Sequence, residues 1–387
     1  MICELAADLA AVGHDVSVLT GWPNHPAGRI FPGYKVRWRH MERTTGLRVL
    51  RVWHAICSKA SPLARMWVYL TFAISSFVNG LSLGRHDAVV SLSTPLFGVW
   101  TAWLLARLWR GRFINIIFDL WPEAIKNAGL TGDNAMYRLV RRIDTYNCLW
   151  SDEITVLGEG MKAHICQRGI AADRVHVLPF WIDVNRIRPL PRENDWRREQ
   201  AIPPQQFVAL FAGTIGYASG AEILADVADE LRGHPQILLL IVGEGVVKEK
   251  LQSLAAARKI DNIRFLPFQP EAKLAQMQST ADVGLVTLRP ESGISSVPSK
   301  VLGYMSAGRA VIAAAPEDTD TARLIRAADC GLVTASGDAA GLARAILTLY
   351  QDRECCRRYG ENARRYVVTH LSRQAVVGRY ARLIEGR

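Results

Sequence analysis

Short apolar runs alternate with amphipathic helical patterns along this chain, stop at a stretch rich in Pro and Arg, and then start again. That alternation is what parallel sheets with helical crossovers require, because each buried strand must be followed by a helix that returns the chain to the same end of the sheet. In the first half the predicted strands are 15–20, 87–92, 113–118, 153–157 and 174–177, with helices near 3–12, 62–83, 95–109, 134–149 and 159–168. Segment 22–54 interrupts the rhythm with Trp22, Pro23, Pro26 and Pro32, and reads as a long loop holding a strand pair, an insertion suited to lining a site. Pro179, Pro189, Pro191, Pro203 and Pro204 mark a linker over 179–203. Strands are then expected at 207–212, 237–242, 263–266, 283–287 and 310–314, and helices near 220–231, 246–257, 271–280, 299–307, 320–328, 338–351 and 354–385. With 387 residues the chain has room for two such α/β domains, 1–178 and 204–370, with a ligand cleft at the carboxyl ends of their strands. The first domain opens on the helix at Ile2-Cys3-Glu4-Leu5, where a doubly wound domain ordinarily opens on a strand and a glycine-rich turn. Its first strand is therefore expected to be missing: either it lies in frame upstream of an internal start at Met1, the favoured expectation, or the protein does without it.

Composition narrows the partners. Residues 1–190 carry 22 Lys and Arg against 14 Asp and Glu, which accounts for most of the net charge of +11 and turns the first half toward an anionic surface. No basic run interleaved with aromatics suggests nucleic acid. The seven cysteines form no CxxC pair, as expected of reduced thiols, and no metal site is expected. Met1 leads into a helical pattern containing Glu4 and Asp8, unlike a secretory leader. Residues 66–84 and 88–106 are free of charge and of spanning length. The second reads as a strand end turning into a helix, the first as a buried or surface-lying helix. Peripheral association with a membrane is expected, not spanning.

Four segments carry candidate chemistry. Gly213-Thr214-Ile215-Gly216 follows the first strand of the second half, where glycines let backbone N–H groups approach phosphate oxygens. Gly243-Glu244-Gly245 ends the next strand, either admitting a ligand or simply stopping the strand. The polar loop from Glu291-Ser292 to Ser299-Lys300 offers N–H groups and a hydroxyl to a diphosphate, with Lys300 to neutralise a departing one; capping by Ser299 and a solvated Lys300 are the plain alternatives. Asp119-Leu120-Trp121-Pro122-Glu123 lies past a first-half strand, where Asp119 or Glu123 can take a proton from an acceptor hydroxyl or stabilise a helix start. His25, in Trp22-Pro23-Asn24-His25-Pro26, is a further acceptor-side candidate.

These strings, with Gly13-His14-Asp15, Pro32-Gly33-Tyr34 and Tyr304-Met305-Ser306-Ala307-Gly308-Arg309, resemble glycosyltransferase family 4 over almost the whole chain, in the branch that builds colanic acid, capsule and O-antigen. The resemblance implies the GT-B fold, two Rossmann-like domains facing across a cleft, with residues 371–387 ending a helix that returns to the first domain. It implies a nucleotide-diphosphate sugar as co-substrate, usually a UDP-sugar, held by Gly213, Thr214, Gly216, Gly243, Glu244, Glu291, Ser292, Ser299 and Lys300. It also implies retaining transfer without an obligatory cofactor or metal, a polyprenyl-diphosphate-linked saccharide acceptor, and a cytoplasmic protein on the inner face of the plasma membrane. Asp119 and Lys300 are then the catalytic candidates, and His25, Asp119 and Glu123 the acceptor contacts. The family's paired donor glutamates correspond to Ser295 and Gly303, a usual Asn to Phe180, and Ile215–Glu222 lacks the usual basic pair. A sugar-nucleotide epimerase of the same fold and a non-catalytic binding homologue are the alternative readings.

Overall fold

The computed structural model describes residues 2–24, 28–44, 46–57, 62–123, 134–290 and 298–386. Its strands are β1 (Val16–Thr20), β2 (Arg39–Thr44), β3 (Leu47–Val52), β4 (Ala88–Leu92), β5 (Arg112–Ile116), β6 (Glu153–Val156), β7 (Val175–Val177), β8 (Phe207–Ala212), β9 (Ile237–Val242), β10 (Ile263–Leu266), β11 (Val283–Thr287), β12 (Ala310–Ala314) and β13 (Gly331–Thr334). The second half forms one parallel sheet in the order β10-β9-β8-β11-β12-β13. Every residue of β8, β9, β11 and β12 is buried, because helices cover both faces, and this explains their unbroken apolar runs. The order reverses between β8 and β11, and such a switch point opens a crevice at the carboxyl ends of the strands.

The first half is divided. β1, β3 and β2 form one small sheet and β4 to β7 a second, with no strand among the described residues joining β1 to β4. Both of those edges are only partly buried, unlike the central strands of the second domain. The strand pair expected within 22–54 is β2 with β3, antiparallel.

The linker is folded onto the second domain. Asn194 caps a short helix, Asp195–Glu199, and fully buried Arg197 donates to the carbonyls of Thr280, Pro203 and Gln206. The single closing helix expected over 354–385 is in fact two. A π turn at Val367–Leu371 ends Arg353–Tyr366, and Ser372 then caps Arg373–Glu385 through Ala375 N–H. The break lets the last helix turn onto the first domain, where Val376, Val377 and Tyr380 pack with Leu5, Leu9 and Ile116, and Arg373 pairs with Asp8 at 2.6 Å.

The two halves also meet at an exchanged cap. The helix Glu159–Cys166 begins at Gly158, which has no side chain to cap it, and Asp320 of the second half accepts from Gly160 N–H at 2.9 Å. A Cβ on Gly158 would collide with that carboxylate. Asp320→Ala is expected to cost about 1 kcal/mol, the usual worth of a cap, read as a lower thermal midpoint that Asp320→Asn largely restores.

Candidate functional site

A cavity of about 810 Å³ opens at the switch point, between the carboxyl ends of β8 and β11 and the linker residues Phe180, Trp181 and Ile182. Gly213, Thr214, Gly216, Ser299 and Lys300 all line it. The turn after β8 is built so that its N–H groups alternate. Gly213 donates to the carbonyl of Val242 and Ile215 to that of Glu244, both at 2.9 Å, while the Ile215 side chain is fully buried. Thr214 and Gly216, the residues between, make no backbone bond through N–H among the described residues and face the cavity. Two such donors on alternate residues of a glycine turn can form an anion-binding concavity. Gly213 has φ +130°, and a Cβ there would sit 3.3 Å from Lys300 Cε, so glycine here serves both the backbone and its neighbour.

Lys300 starts the helix Lys300–Ser306, and its Nζ lies 3.6 Å above the centre of the Phe211 ring. That nitrogen is buried and has no hydrogen-bond partner among the described residues. Loss of hydration disfavours the ammonium and lowers its pKa to about 7. Ser299 makes no capping hydrogen bond with its side chain, so its hydroxyl remains available. The plain alternatives, a capping serine and a solvated lysine, therefore do not describe this site.

The other donor-side candidates separate. Gly243 does not line the cavity: the space a side chain would need is filled by the Gly213 carbonyl, so the close approach it permits is one of backbone to backbone. Glu244 is half-exposed, pairs with Lys248 at 2.7 Å, and faces a separate, shallower cavity. Glu291, Ser292, Ser295 and His25 lie outside the described residues.

Gln278 is among the cavity residues that the sequence reading missed. It lies on the helix Leu274–Thr280 and lines the cavity, its Oε1 buried and without a hydrogen-bond partner among the described residues, and its amide occupies the place a side chain on Gly303 would need. The glycine at the position of the expected carboxylate thus makes room for a neutral donor and acceptor from the next helix. Its only sequence signal was Gly303 itself.

On the first domain, Asp119 stands past β5 with its side chain exposed, while partial burial raises its carboxyl above the ordinary value. Its neighbour Phe118 packs on Phe180, ring centres 5.0 Å apart, and so connects the segment to the cavity wall. Glu123 is engaged within the protein: it accepts from Arg168 at 2.8 Å and meets His164 at 3.1 Å. Burial pushes Glu123 upward, but the His164 hydrogen bond and the Arg168 charge outweigh it and hold its carboxyl below the usual value. Arg168, almost fully buried, also binds Asp144 at 2.6 Å. Glu123 therefore anchors the segment, and Asp119 is exposed beside it, outside the residues that line the cavity. Among the described residues no three His, Cys, Asp or Glu side chains gather where a metal ion could be held.

Comparison with known proteins agrees with this architecture. Residues 1–181 match the glycosyl transferase 4-like domain and residues 192–366 the glycosyl transferases group 1 family. WcaI of Escherichia coli (strain K12), assigned to colanic acid biosynthesis as a glycosyl transferase, is 26% identical over 83% of this chain and 80% of that protein. Sucrose-phosphate synthase from Thermosynechococcus elongatus superposes with a TM-score of 0.78 at 17% identity, over 100% of this chain and 92% of that one. Anabaena HepE, crystallised with UDP-glucose, gives 0.66 at 17% identity, over 84% of each chain. With one family domain on each side of the linker, and two α/β lobes whose solved neighbours share the GT-B fold, the chain belongs to the family 4 glycosyltransferases.

Proposed function

We propose that this glycosyltransferase moves a sugar from a nucleotide-diphosphate sugar, a UDP-sugar, to a lipid-linked saccharide in the assembly of a surface polysaccharide, with retention at the sugar carbon and no obligatory cofactor. The observation that carries this reading is Lys300 Nζ, buried and with no hydrogen-bond partner among the described residues, in the same cavity as Thr214 and Gly216, whose N–H groups make no backbone bond among those residues. A desolvated cation is an unfavourable feature unless an anion completes it, and a diphosphate does so. As the bond between the sugar carbon and the diphosphate oxygen breaks, negative charge grows on the leaving group, and Thr214 N–H, Gly216 N–H and Lys300 are placed to meet it. Asp119, with its raised pKa, receives the proton of the acceptor hydroxyl. HepE, with UDP-glucose bound, supports the choice of donor, and WcaI supports the class of product.

UDP release from a panel of UDP-sugars, measured with and without a polyprenyl-diphosphate-linked saccharide, tests this. Release that requires the lipid acceptor is expected. Conversion of the donor alone would indicate epimerisation, and binding without turnover a non-catalytic homologue. In the same cavity, beside Gly303, Gln278 offers its amide to the sugar hydroxyls of the nucleotide. Gln278→Ala is expected to weaken UDP binding by about 5- to 20-fold, as loss of a buried hydrogen bond does, with little change in the affinity for inorganic diphosphate. Calorimetry with both ligands separates these outcomes.

A further inference from the structure

The helix Pro62–Gly80 is inside out. Its side chains that face away from the protein are Met66, Trp67, Leu70, Ile74 and Val78, a stripe at helical spacing that Leu81 continues; Trp67 is 59% exposed, Ile74 56% and Val78 51%. Facing inward, beside Phe72 and Ala73, are Thr71, Ser75, Ser76 and Asn79, all four buried. The inward face is not an accident of packing, because its polar groups are satisfied. Thr71 Oγ1 accepts from Ala55 N–H at 3.0 Å, Ser76 Oγ donates to the Phe72 carbonyl at 2.6 Å, and Asn79 Nδ2 donates to the Ser75 carbonyl at 2.8 Å. From the neighbouring helix Gly98–Trp109, Thr101 Oγ1 donates to the Ala73 carbonyl at 2.8 Å. A helix on a water-facing surface carries the opposite arrangement, and this one has enough apolar length to cross a bilayer. It is instead held lengthwise against Gly98–Trp109, with a Cβ on Gly80 meeting Leu105 at 2.8 Å. Its apolar stripe therefore lies along the surface.

The neighbouring helices extend the surface and fix its partner. Leu104 and Leu108 are exposed on Gly98–Trp109, and Met136, Leu139 and Tyr146 on Ala135–Trp150. The last two helices are joined by stacked Trp103 and Trp150, ring centres 4.8 Å apart. The charged residues of the three helices are Arg65, Arg107, Arg138, Arg141, Arg142 and one acid, Asp144, which is buried against Arg168. Apolar side chains and tryptophan fringed by arginine suit the boundary between acyl chains and anionic headgroups. A second copy on the same face would set these arginines against their own kind.

We infer that this face, led by Trp67, Leu70, Ile74 and Val78, docks in the plane of an anionic lipid surface. The inference deepens the proposed function, since a lipid-linked acceptor is met at such a surface, but its test uses no turnover. The full chain is floated with vesicles of phosphatidylcholine alone or containing about one third phosphatidylglycerol, beside a variant carrying Ile74→Glu and Val78→Glu at exposed positions. Circular dichroism and thermal melting verify that the variant folds. The wild-type chain is expected to float with the anionic vesicles, less so at high salt, and the variant to bind at least about tenfold more weakly. Wild-type protein left in the pellet fraction, equal flotation of the folded variant, or a dimer by light scattering that the two glutamates dissolve would each overturn the inference. Flotation without acceptor-dependent UDP release would leave it standing and remove the proposed function instead.

Discussion

With Lys300 replaced by alanine, turnover on the donor falls by about 10²- to 10³-fold, the loss typical of removing one preorganised group that meets developing charge. The change removes no hydrogen bond of Lys300 Nζ among the described residues, and the lost contact with the Phe211 ring is set against relief of a desolvated charge, so the fold should be little affected. A pH dependence separates this role from simple bulk. Buried, and with no hydrogen-bond partner among the described residues, the free enzyme's ammonium has a pKa of about 7. Above that pH the empty site holds a neutral amine, and a bound diphosphate must draw a proton from solvent to recover the charge. The affinity for UDP is therefore expected to decline as pH rises above about 7, by up to tenfold per unit, with net proton uptake on binding. The empty protein shows the reverse trend in stability. Its unfolded chain, with an ordinary lysine, binds the proton between about 7 and the ordinary lysine value of 10.5, so this group makes the fold more stable as pH rises through that window. Calorimetry in buffers of different ionisation enthalpy reads the uptake directly. Lys300→Ala should abolish it, and uptake that persists in the variant assigns the titration to another group.

How far the sequence revealed this site depended on what each residue needed. β8, β9, β11 and β12 match the predicted runs because strands covered on both faces must be apolar throughout, while the edge strand β10, only partly buried, matches despite carrying Arg264. β13 was missed because Gly331–Thr334 is short and only partly buried, so its pattern is weak. The break before the last helix was legible in principle: Ser372 with Ala375 three residues on is a capping pair, but a continuous amphipathic pattern concealed it. Lys300 and Gly213, which both line the cavity, could be named from the sequence because the roles expected of them depend on local chemistry beside a strand end. Glu123 could be ranked below Asp119 only from the structure, because its partners His164 and Arg168 lie more than forty residues along the chain. Gln278 was invisible for the same reason, since nothing in Leu274–Thr280 indicates that Gly303 leaves a space beside it.

The heaviest loss without touching a ligand contact is expected from Gly243→Ala. Its φ of +148° already disfavours a side chain, and the added Cβ would overlap the carbonyl oxygen of Gly213. Nothing flexible can give way, because both sides of the contact are backbone. The two turns are also tied to each other: Gly213 N–H to Val242, Ile215 N–H to Glu244 and Val247 N–H to Ile215, at 2.9, 2.9 and 3.1 Å. Relief of the overlap must therefore displace the turn that points the N–H groups of Thr214 and Gly216 into the cavity. Strain of this kind costs about 1–3 kcal/mol, and loss of two aligned donors to a phosphate should lower UDP affinity by roughly 10²-fold. Gly337→Ala is the matched control: φ is +77° there and a Cβ would meet nothing within 4 Å, so it carries the backbone strain without the collision. It should lower the melting temperature modestly and leave UDP binding intact. If the folded Gly243→Ala protein instead bound UDP as well as the wild type, the diphosphate would have to lie somewhere other than on the turn that follows β8.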